Sequence, residues 1–465
     1  MSHMIHIHNT LKRKNTFRGV FLLLSIFVGG FLLSSAKTRA TTPTNQFPYL
    51  AAIYHNQEWE DTGTALTPQE SADKFNTIVF SRTKMNTYLP QYVQAGFDGQ
   101  SLVYLTPLDR IAGPKTDYAS RKGQKRRCTT TDKTYRSSSD NLTMDEGDFC
   151  EIQDAIVTNT CLTEYPDLCP KESFFLHKQD STRYVKASSS GNSYKPNPAD
   201  AVYRQYLQRR AVREMIGGVE VTYNGTTINH PSTGANSVYF DNVELSWSKV
   251  VREGGIPKEF TTNEAYAIAV RDAVQQTYTA FLATTLPNST SHPQLWGNMI
   301  SNLQTGNDWG LYVTALDGAL MENFLLDWGR GYYSESDMLT QLSTLKSWGE
   351  AGKKVIAVAQ ANTYTGREQF DNESVFTYIA SLLVLNDASS FKTDNYYGDP
   401  QGTREALYKQ YYEYPEYFTD IGSPLGSYYA VSGSVLKRDF TCGSVTVDLA
   451  NKNAQLVQTP GCEGM

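Results

Sequence analysis

Two carboxylate side chains follow short apolar segments that are typical of buried strands. Asp241 follows Val238-Tyr239-Phe240, and Glu322 follows Gly318-Ala319-Leu320-Met321. A carboxylate beside a buried strand is costly unless it is solvated, paired or catalytic. Two such acids can cleave a glycosidic bond, because one donates a proton to the leaving oxygen while the other attacks the anomeric carbon or activates water.

Both acids also have a structural interpretation. Asp241 with Asn242 is common turn chemistry after a strand, and Asp241 could equally cap a helix. Glu322 is enclosed by apolar neighbours, so a purely structural role would require a buried partner. Glu244 is a further acid close by, which we interpret as a helix-start residue or a ligand of a sugar hydroxyl.

Short apolar or β-branched segments alternate with helical stretches along most of the chain, which is the pattern of an α/β protein. Eight segments are predicted as strands: 77–80, 101–105, 174–176, 238–240, 295–299, 318–321, 355–358 and 389–391. Stretches at 201–215, 262–283, 335–350 and 373–385 are predicted as helices. Eight strands with helical crossovers favour a (β/α)8 TIM barrel over a doubly wound sheet. Asp241 would then end strand four and Glu322 strand six, at the same barrel mouth.

Two parts of the chain depart from this rhythm. Residues 107–172 are polar and contain four cysteines, which predicts a disulfide-containing insertion after strand two; it either shapes a substrate cleft or is a surface loop. Near the C-terminus, period-two alternation predicts a small antiparallel β extension. The predicted organisation is therefore a leader over 1–40, a TIM-barrel domain over 41–424 and a β extension over 425–465.

The cysteines form two local groups, which are Cys128, Cys150, Cys161 and Cys169, and then Cys442 and Cys462. In an exported protein, an even number of clustered cysteines predicts disulfides. The simplest pairing joins Cys442 to Cys462 and makes two bridges among the other four, for which three pairings remain open. A zinc site is the alternative, but no C-x-x-C pair is present and histidine is scarce nearby.

The first 40 residues have the layout of an export signal. Basic residues between positions 12 and 18 precede an apolar run over 20–33, and cleavage is possible after Ala36 or Ala40. The run is shorter than the roughly 20 residues that span a bilayer, so we predict a secreted, periplasmic or cell-envelope protein, with an uncleaved N-terminal anchor as the alternative. The net charge of −6, more negative without the basic leader, argues against nucleic acid as a partner. We predict a monomer.

The motifs resemble a known family. Residues 237–244 (SVYFDNVE), 321–324 (MENF) and 354–360 (KVIAVAQ) occur in this order and at similar spacing in a sparsely characterised family of TIM-barrel glycoside hydrolases, frequent in cyanobacteria and distantly similar to the endo-α-1,4-polygalactosaminidase family. The resemblance covers roughly residues 70–450, apart from the cysteine-rich insertion. It implies a TIM barrel in which Asp241 is the nucleophile or base and Glu322 the general acid.

Polar residues at other strand ends are candidate substrate ligands, because amides both donate to and accept from sugar hydroxyls. The candidates are Asn242, Glu244, Tyr104, Asn298, Asn323, Gln360 and Asp394. Tyr104, Trp296, Tyr396 and Tyr397 could stack on sugar rings, although Trp296 is expected in the core and His177 is as consistent with a half-buried structural residue as with a ligand. The sequence contains no phosphate loop and no metal-binding histidine spacing outside the leader, so no metal or cofactor is predicted.

Together these features predict an exported glycoside hydrolase that acts on an extracellular polysaccharide or oligosaccharide. The alternative is a non-catalytic glycan-binding or envelope protein on a barrel scaffold, because fold alone does not imply activity. A transglycosidase would use the same pair of acids. The hydrolase hypothesis is favoured if Asp241 and Glu322 face one cleft within about 10 Å of each other. The glycan-binding hypothesis is favoured if either side chain points away.

Overall fold

The computed structural model describes most of the chain after the leader. The described residues are 50–53, 66–107, 111–113, 146–188, 191–217, 221–223, 226–228, 232–243, 247, 256–287, 289–299, 309–327, 330–361, 367–386, 389–395 and 413–462. The leader, Cys128, Glu244, Tyr396 and Tyr397 lie outside them. No helix in these ranges is both long and apolar enough to cross a membrane.

Eight parallel strands form one sheet in which neighbours in space follow chain order. They are Ala51–Ile53, Thr77–Phe80, Gln100–Leu105, Ser237–Phe240, Gln294–Asn298, Gly318–Met321, Lys354–Ala361 and Ser390–Asn395, called here barrel strands one to eight. A parallel bridge between Leu50 and Phe391 brings the first strand beside the eighth. The predicted (β/α)8 TIM barrel is therefore confirmed.

The predicted number of strands, eight, is correct because one barrel strand was missed and one predicted strand is wrong. Barrel strand one was missed, because Ala51-Ala52-Ile53 is short and alanine has little strand preference. The predicted strand 174–176 is wrong: a 3₁₀ turn over Glu172–Phe174 is followed by an isolated bridge from Phe175 to Pro196. Its apolar residues are buried against aromatic neighbours outside the barrel, where burial produces the same apolar run as a strand.

Helices cover the outside of the sheet and mostly begin at side-chain caps. They are Pro68–Lys74, Arg82–Gln94, Glu146–Thr158, Ala201–Ile216, Asn263–Leu282, Glu335–Glu350 and Arg367–Ser381. Thr67, Asp200, Thr262 and Ser334 each accept a hydrogen bond from the first turn of the helix that follows. Such caps satisfy amide groups that have no partner within the helix.

Alternate residues of the strands fill the barrel interior, while the residues between them pack under the helices. The interior cluster consists of Ala51, Val79, Leu102, Tyr104, Tyr239, Trp296, Leu320, Ile356 and Val358. Trp296 is fully buried there, as expected, and Gly318 makes room for it: a Cβ at Gly318 would lie 2.5 Å from the indole ring. Since side chains alternate, the next inward positions toward the strand ends include Asp241, Asn298, Glu322 and Gln360.

A long insertion separates barrel strands three and four. It follows Gln100–Leu105, as predicted, but this strand is the third of the barrel and not the second, because Ala51–Ile53 was missed. It includes the helices Glu146–Thr158 and Ala201–Ile216 and the short strands Ile111–Gly113, Val185–Ser188, Gly191–Tyr194, Val221–Tyr223 and Thr226–Ile228. A buried ion pair at 2.9 Å joins Arg210 to Asp148 across the two helices. A disulfide links Cys161 to Cys169, and Cys150 is also disulfide-bonded.

A four-stranded antiparallel sheet forms the predicted C-terminal β extension. Its strands are Tyr429–Ser432, Val435–Phe440, Gly443–Asp448 and Asn453–Gln458. Arg438 donates hydrogen bonds to the carbonyls of Leu382 (2.9 Å) and Leu385 (2.6 Å), just after the helix Arg367–Ser381. A disulfide joins Cys442 to Cys462, so the sheet is crosslinked to its own last turn. The domain boundary at 425 stays a prediction.

Candidate active site

Asp241 lies at the C-terminal end of barrel strand four. Its backbone N–H donates to the carbonyl of Leu105 at 2.8 Å, which extends the pairing with barrel strand three by one residue. Its side chain lies on the same side of the strand as Tyr239, which belongs to the interior cluster. The alternation of the buried strand Ser237–Phe240 thus directs this carboxylate into the barrel mouth.

At least four donors contact the Asp241 carboxylate. Oδ2 accepts from the Tyr104 hydroxyl and from Asn242 Nδ2 at 2.9 Å. Oδ1 accepts from the Asn242 backbone N–H at 2.8 Å and from Asn298 Nδ2 at 2.8 Å. Hydrogen bonds donated to a carboxylate stabilise its charged form. These donors therefore favour the ionised form of Asp241 and fix the orientation of its carboxylate.

Asn242 contacts Asp241 with both its backbone and its side chain. Its φ of 54° lies in the left-handed region, which asparagine tolerates better than most residues. This conformation lets its backbone N–H and side-chain amide reach the same carboxylate. In this structure both the backbone and the side chain of Asn242, a predicted sugar ligand, are hydrogen-bonded to Asp241.

Asn298 connects the two carboxylates. It ends barrel strand five, is 3% exposed, and its Nδ2 donates to Asp241 Oδ1 at 2.8 Å and to Glu322 Oε2 at 3.0 Å. The reverse amide orientation would place its oxygen against two carboxylates, so the donor assignment is physically determined. Since one nitrogen contacts both oxygens, those oxygens are at most about 6 Å apart, within the spacing of glycosidase carboxyl pairs.

Glu322 directly follows barrel strand six and is half-buried. Two hydrogen bonds from backbone N–H groups fix the residues that follow Glu322. The Phe324 N–H donates to the Val358 carbonyl at 2.8 Å, and the Leu325 N–H donates to Gln341 Oε1 at 2.7 Å. Leu325 is fully buried at a φ of 59°, an unusual conformation for a leucine. Left-handed residues thus lie one position after Asp241 and three positions after Glu322, and strained backbone is concentrated at functional sites.

The other predicted ligands are Tyr104, Gln360, Asn323 and Asp394. Tyr104 and Gln360 lie at the mouth, and Gln360 is 3% exposed. The Asn323 amide instead donates to the Tyr333 hydroxyl at 2.5 Å. Asp394 pairs with Gln360 in the backbone register of barrel strands seven and eight.

Ser81 also lies at the mouth and was not predicted. It follows barrel strand two, is 2% exposed, and precedes the helix Arg82–Gln94 without making a side-chain cap. Its sequence signal is a hydroxyl directly after the buried run Thr77–Phe80. Serine before a helix is so commonly a cap that this signal alone does not indicate a ligand.

His177 lies in an ionic cluster that joins the insertion to residues 256–260. Its Nε2 is 3.2 Å from Glu172 Oε1 and its Nδ1 is 2.6 Å from Glu259 Oε1. Hydrogen bonds that His177 donates to Glu172 and Glu259 raise its pKa to about 9, against the opposing effect of burial. Arg183 also binds Glu172, so the cluster is a structural ion network.

Known proteins similar to this chain include a family of enzymes. A sequence model of the hypothetical glycosyl hydrolase family 15 matches residues 164–444, more than half of the chain, and this range contains both mouth carboxylates. No curated protein matches.

Solved structures with a similar course of the chain include three of glucosidase II. The alpha subunit bound to alpha3-Glc2 matches with a TM-score of 0.40 and 10% identity, and the match covers 76% of this chain and 32% of that chain. The ER heterodimer of the catalytic subunit and the binding domain of the regulatory subunit matches with a TM-score of 0.39 and 10% identity, covering 79% of this chain and 34% of that chain. The Tris-bound alpha subunit matches with a TM-score of 0.39 and 11% identity, covering 79% of this chain and 34% of that chain. The chain spans about a third of the length of these proteins.

Proposed function

The chain belongs to the hypothetical glycosyl hydrolase family 15, and from this membership we propose that it hydrolyses glycosidic bonds with Asp241 and Glu322 as the reacting groups. The observation that supports this pair is the shared contact with Asn298 Nδ2. The two acids come from different strands, and their contact with one nitrogen keeps their nearest oxygens within about 6 Å, which is compatible with the spacing of glycosidase carboxyl pairs.

Asp241 is proposed as the nucleophile. Its donors favour the ionised form, and a nucleophile must be ionised to attack the anomeric carbon. Attack requires one lone pair of the carboxylate, so one of these hydrogen bonds must be exchanged when the sugar enters.

Glu322 is proposed as the general acid. It is half-buried and near a carboxylate that is already negative, and a second negative charge at this distance is disfavoured. The proton shared by the pair therefore resides on Glu322, from which it is delivered to the leaving oxygen.

The short separation supports retention of configuration. Retaining enzymes hold their carboxyl groups about 5–5.5 Å apart, whereas inverting enzymes leave about 6.5–9.5 Å for a water molecule. The nearest oxygens of Asp241 and Glu322 are within about 6 Å, which leaves little room for that water. We therefore propose a covalent glycosyl–Asp241 intermediate.

Export and an extracellular polysaccharide substrate are part of the same proposal. The signal-like leader supports export, and the disulfides Cys161–Cys169 and Cys442–Cys462 suit an oxidising compartment. The protein is proposed to act there as a monomer on a polysaccharide or oligosaccharide.

The test combines a substrate screen with matched variants. Wild type, Asp241→Asn and Glu322→Gln are incubated with exopolysaccharides, amino-sugar polymers included, and new reducing ends are measured. Each substitution is expected to lower the rate by about 10²-fold or more. Glu368→Gln, an exposed residue on the helix Arg367–Ser381, is the control and should keep full activity.

Full activity of either site variant would refute the mechanism. Proton NMR of the first product tests stereochemistry, since retention requires the anomer of the substrate to appear first. Formation of longer glycans in place of reducing ends would identify a transglycosidase, which uses the same pair.

A further inference from the structure

Three buried side chains at the barrel mouth have a polar atom without a hydrogen-bond partner among the described residues. They are Ser81 Oγ, Asn298 Oδ1 and Gln360 Oε1. The residues are 2%, 3% and 3% exposed, so bulk solvent does not satisfy these atoms. Buried polar groups in native proteins nearly always have hydrogen-bond partners, and a buried group that lacks such a partner costs free energy.

These three residues lie around the same opening as the two carboxylates. Ser81 is two residues beyond Val79 of the interior cluster and keeps an extended backbone (φ −64°, ψ 151°), so its side chain also faces inward. Gln360 has the same relation to Val358, and Asn298 to Trp296. Because parallel barrel strands are staggered by about one residue per strand, Ser81 on strand two lies level with Asp241 and Glu322.

Ser81 differs from the other hydroxyl residues that precede helices. Thr67, Thr262 and Ser334 each accept a hydrogen bond from their own helix, whereas Ser81 makes no such bond. The usual local partner of a serine at this position is therefore unused, although the helix begins directly after it. The hydroxyl remains available to a molecule in the mouth.

We propose that Ser81, Asn298 and Gln360 bind the hydroxyls of one uncharged sugar ring held between Asp241 and Glu322. The location of this subsite rests on the proposed function. A hydroxyl both donates and accepts, so it satisfies Ser81 and either end of the Gln360 amide. Asn298 Oδ1 requires a donor, because Nδ2 of the same amide is held by the two carboxylates.

The same groups select against an anionic sugar such as a uronate. A carboxylate on the ligand would meet the negative charge of Asp241 and the Asn298 oxygen, both of which repel it. Lys392 lies on the inward side of barrel strand eight, paired with Val358, but it already has an interaction partner in the protein. The subsite therefore favours a neutral sugar over a uronate, and Ser81 contributes a hydroxyl that binds this sugar.

Ser81→Ala separates a ligand-binding role from a structural one. Removing an unpartnered buried hydroxyl should leave the melting temperature unchanged or raise it by about 1–2 °C, while the affinity for a neutral sugar falls about threefold to tenfold. The control is Ser237→Ala at the opposite end of the barrel. Its fully buried hydroxyl donates to Asn236 Oδ1 at 2.9 Å, so that variant should lose stability and keep affinity.

Binding is measured by calorimetry on the full chain with the methyl glycosides of glucose, galactose and mannose, their monodeoxy analogues, and methyl glucuronide and galacturonide. A neutral glycoside is expected to bind at least about tenfold more tightly than its uronide. One deoxy analogue should lose affinity for wild type and not for Ser81→Ala.

Tighter binding of a uronide, no binding of any neutral glycoside at millimolar concentration, or unchanged affinity in Ser81→Ala would each overturn the inference. Hydrolysis of aryl uronides in preference to neutral aryl glycosides would overturn it while leaving the proposed function intact. Binding of neutral sugars as expected, without hydrolysis of any glycoside, would uphold the inference and refute the proposed function.

Discussion

Protonation of His177 should stabilise the insertion, and this stabilisation should disappear in mild alkali. His177 lies between Glu172 and Glu259, and its backbone N–H also donates to Glu259 Oε2 at 3.0 Å. The Lys258 N–H donates to the His177 carbonyl at 2.9 Å, so the cluster joins the insertion to residues 256–260. Loss of the proton would leave two carboxylates facing a neutral ring.

The magnitude follows from the pKa of His177, which is raised from 6.5 to about 9 by its hydrogen bonds to Glu172 and Glu259. A raised pKa contributes stability that is fully present below the unfolded value and is lost as the pH rises through the folded value. Each unit of pKa corresponds to about 1.4 kcal/mol, so the contribution is about 3 kcal/mol below pH 6.5 and vanishes above pH 9.

Urea unfolding of wild type and His177→Gln between pH 6 and pH 10 measures this effect. The difference in unfolding free energy between the two proteins should narrow by about 3 kcal/mol across that range, because the glutamine does not titrate. Glu259→Gln is the matched variant: it removes one carboxylate, so the pH window of the loss should move downward. A difference that stays constant or widens with pH would refute the protonated cluster.

Three further predictions concern the mouth and the barrel interior. Asn298→Leu removes the donor shared by the carboxylates and should lower kcat by about 10²-fold without loss of the fold, measured by hydrolysis rate and circular dichroism. Asn242→Gly keeps the left-handed backbone and the N–H donor to Asp241 but loses the amide donor, so the acid limb of the kcat/KM profile should move to higher pH. Gly318→Ala places a Cβ 2.5 Å from Trp296 and should lower the unfolding free energy by about 1–3 kcal/mol, measured in urea.

Much of the barrel could be predicted from local pattern. Seven of the predicted strands overlap barrel strands, because parallel strands covered on both faces are continuous apolar segments. The missed strand, Ala51–Ile53, has only three residues and little strand preference, and its place depends on pairing with Thr77–Val79 and on the bridge from Leu50 to Phe391. The wrong strand at 174–176 shows the limit of apolar runs, since burial within the insertion produces the same pattern.

The candidate site was predictable as residue types at strand ends but not as contacts. Asn242 and Asn323 look alike in sequence, each directly after an acid that follows a strand. In the structure the Asn242 amide contacts Asp241, whereas the Asn323 amide donates to the Tyr333 hydroxyl. The difference arises from the backbone, because the left-handed conformation at Asn242 turns its side chain back toward the preceding carboxylate.

The sequence by itself determined the α/β rhythm, the order of the strands and the presence of Asp241 and Glu322 at strand ends, because burial and alternation are local properties of the chain. Only the tertiary structure decided that the Asn298 amide contacts both acids and that the Ser81 hydroxyl makes no capping hydrogen bond to its helix. Those contacts depend on the register among strands far apart in the sequence. Barrel closure sets that register, and no local pattern encodes it.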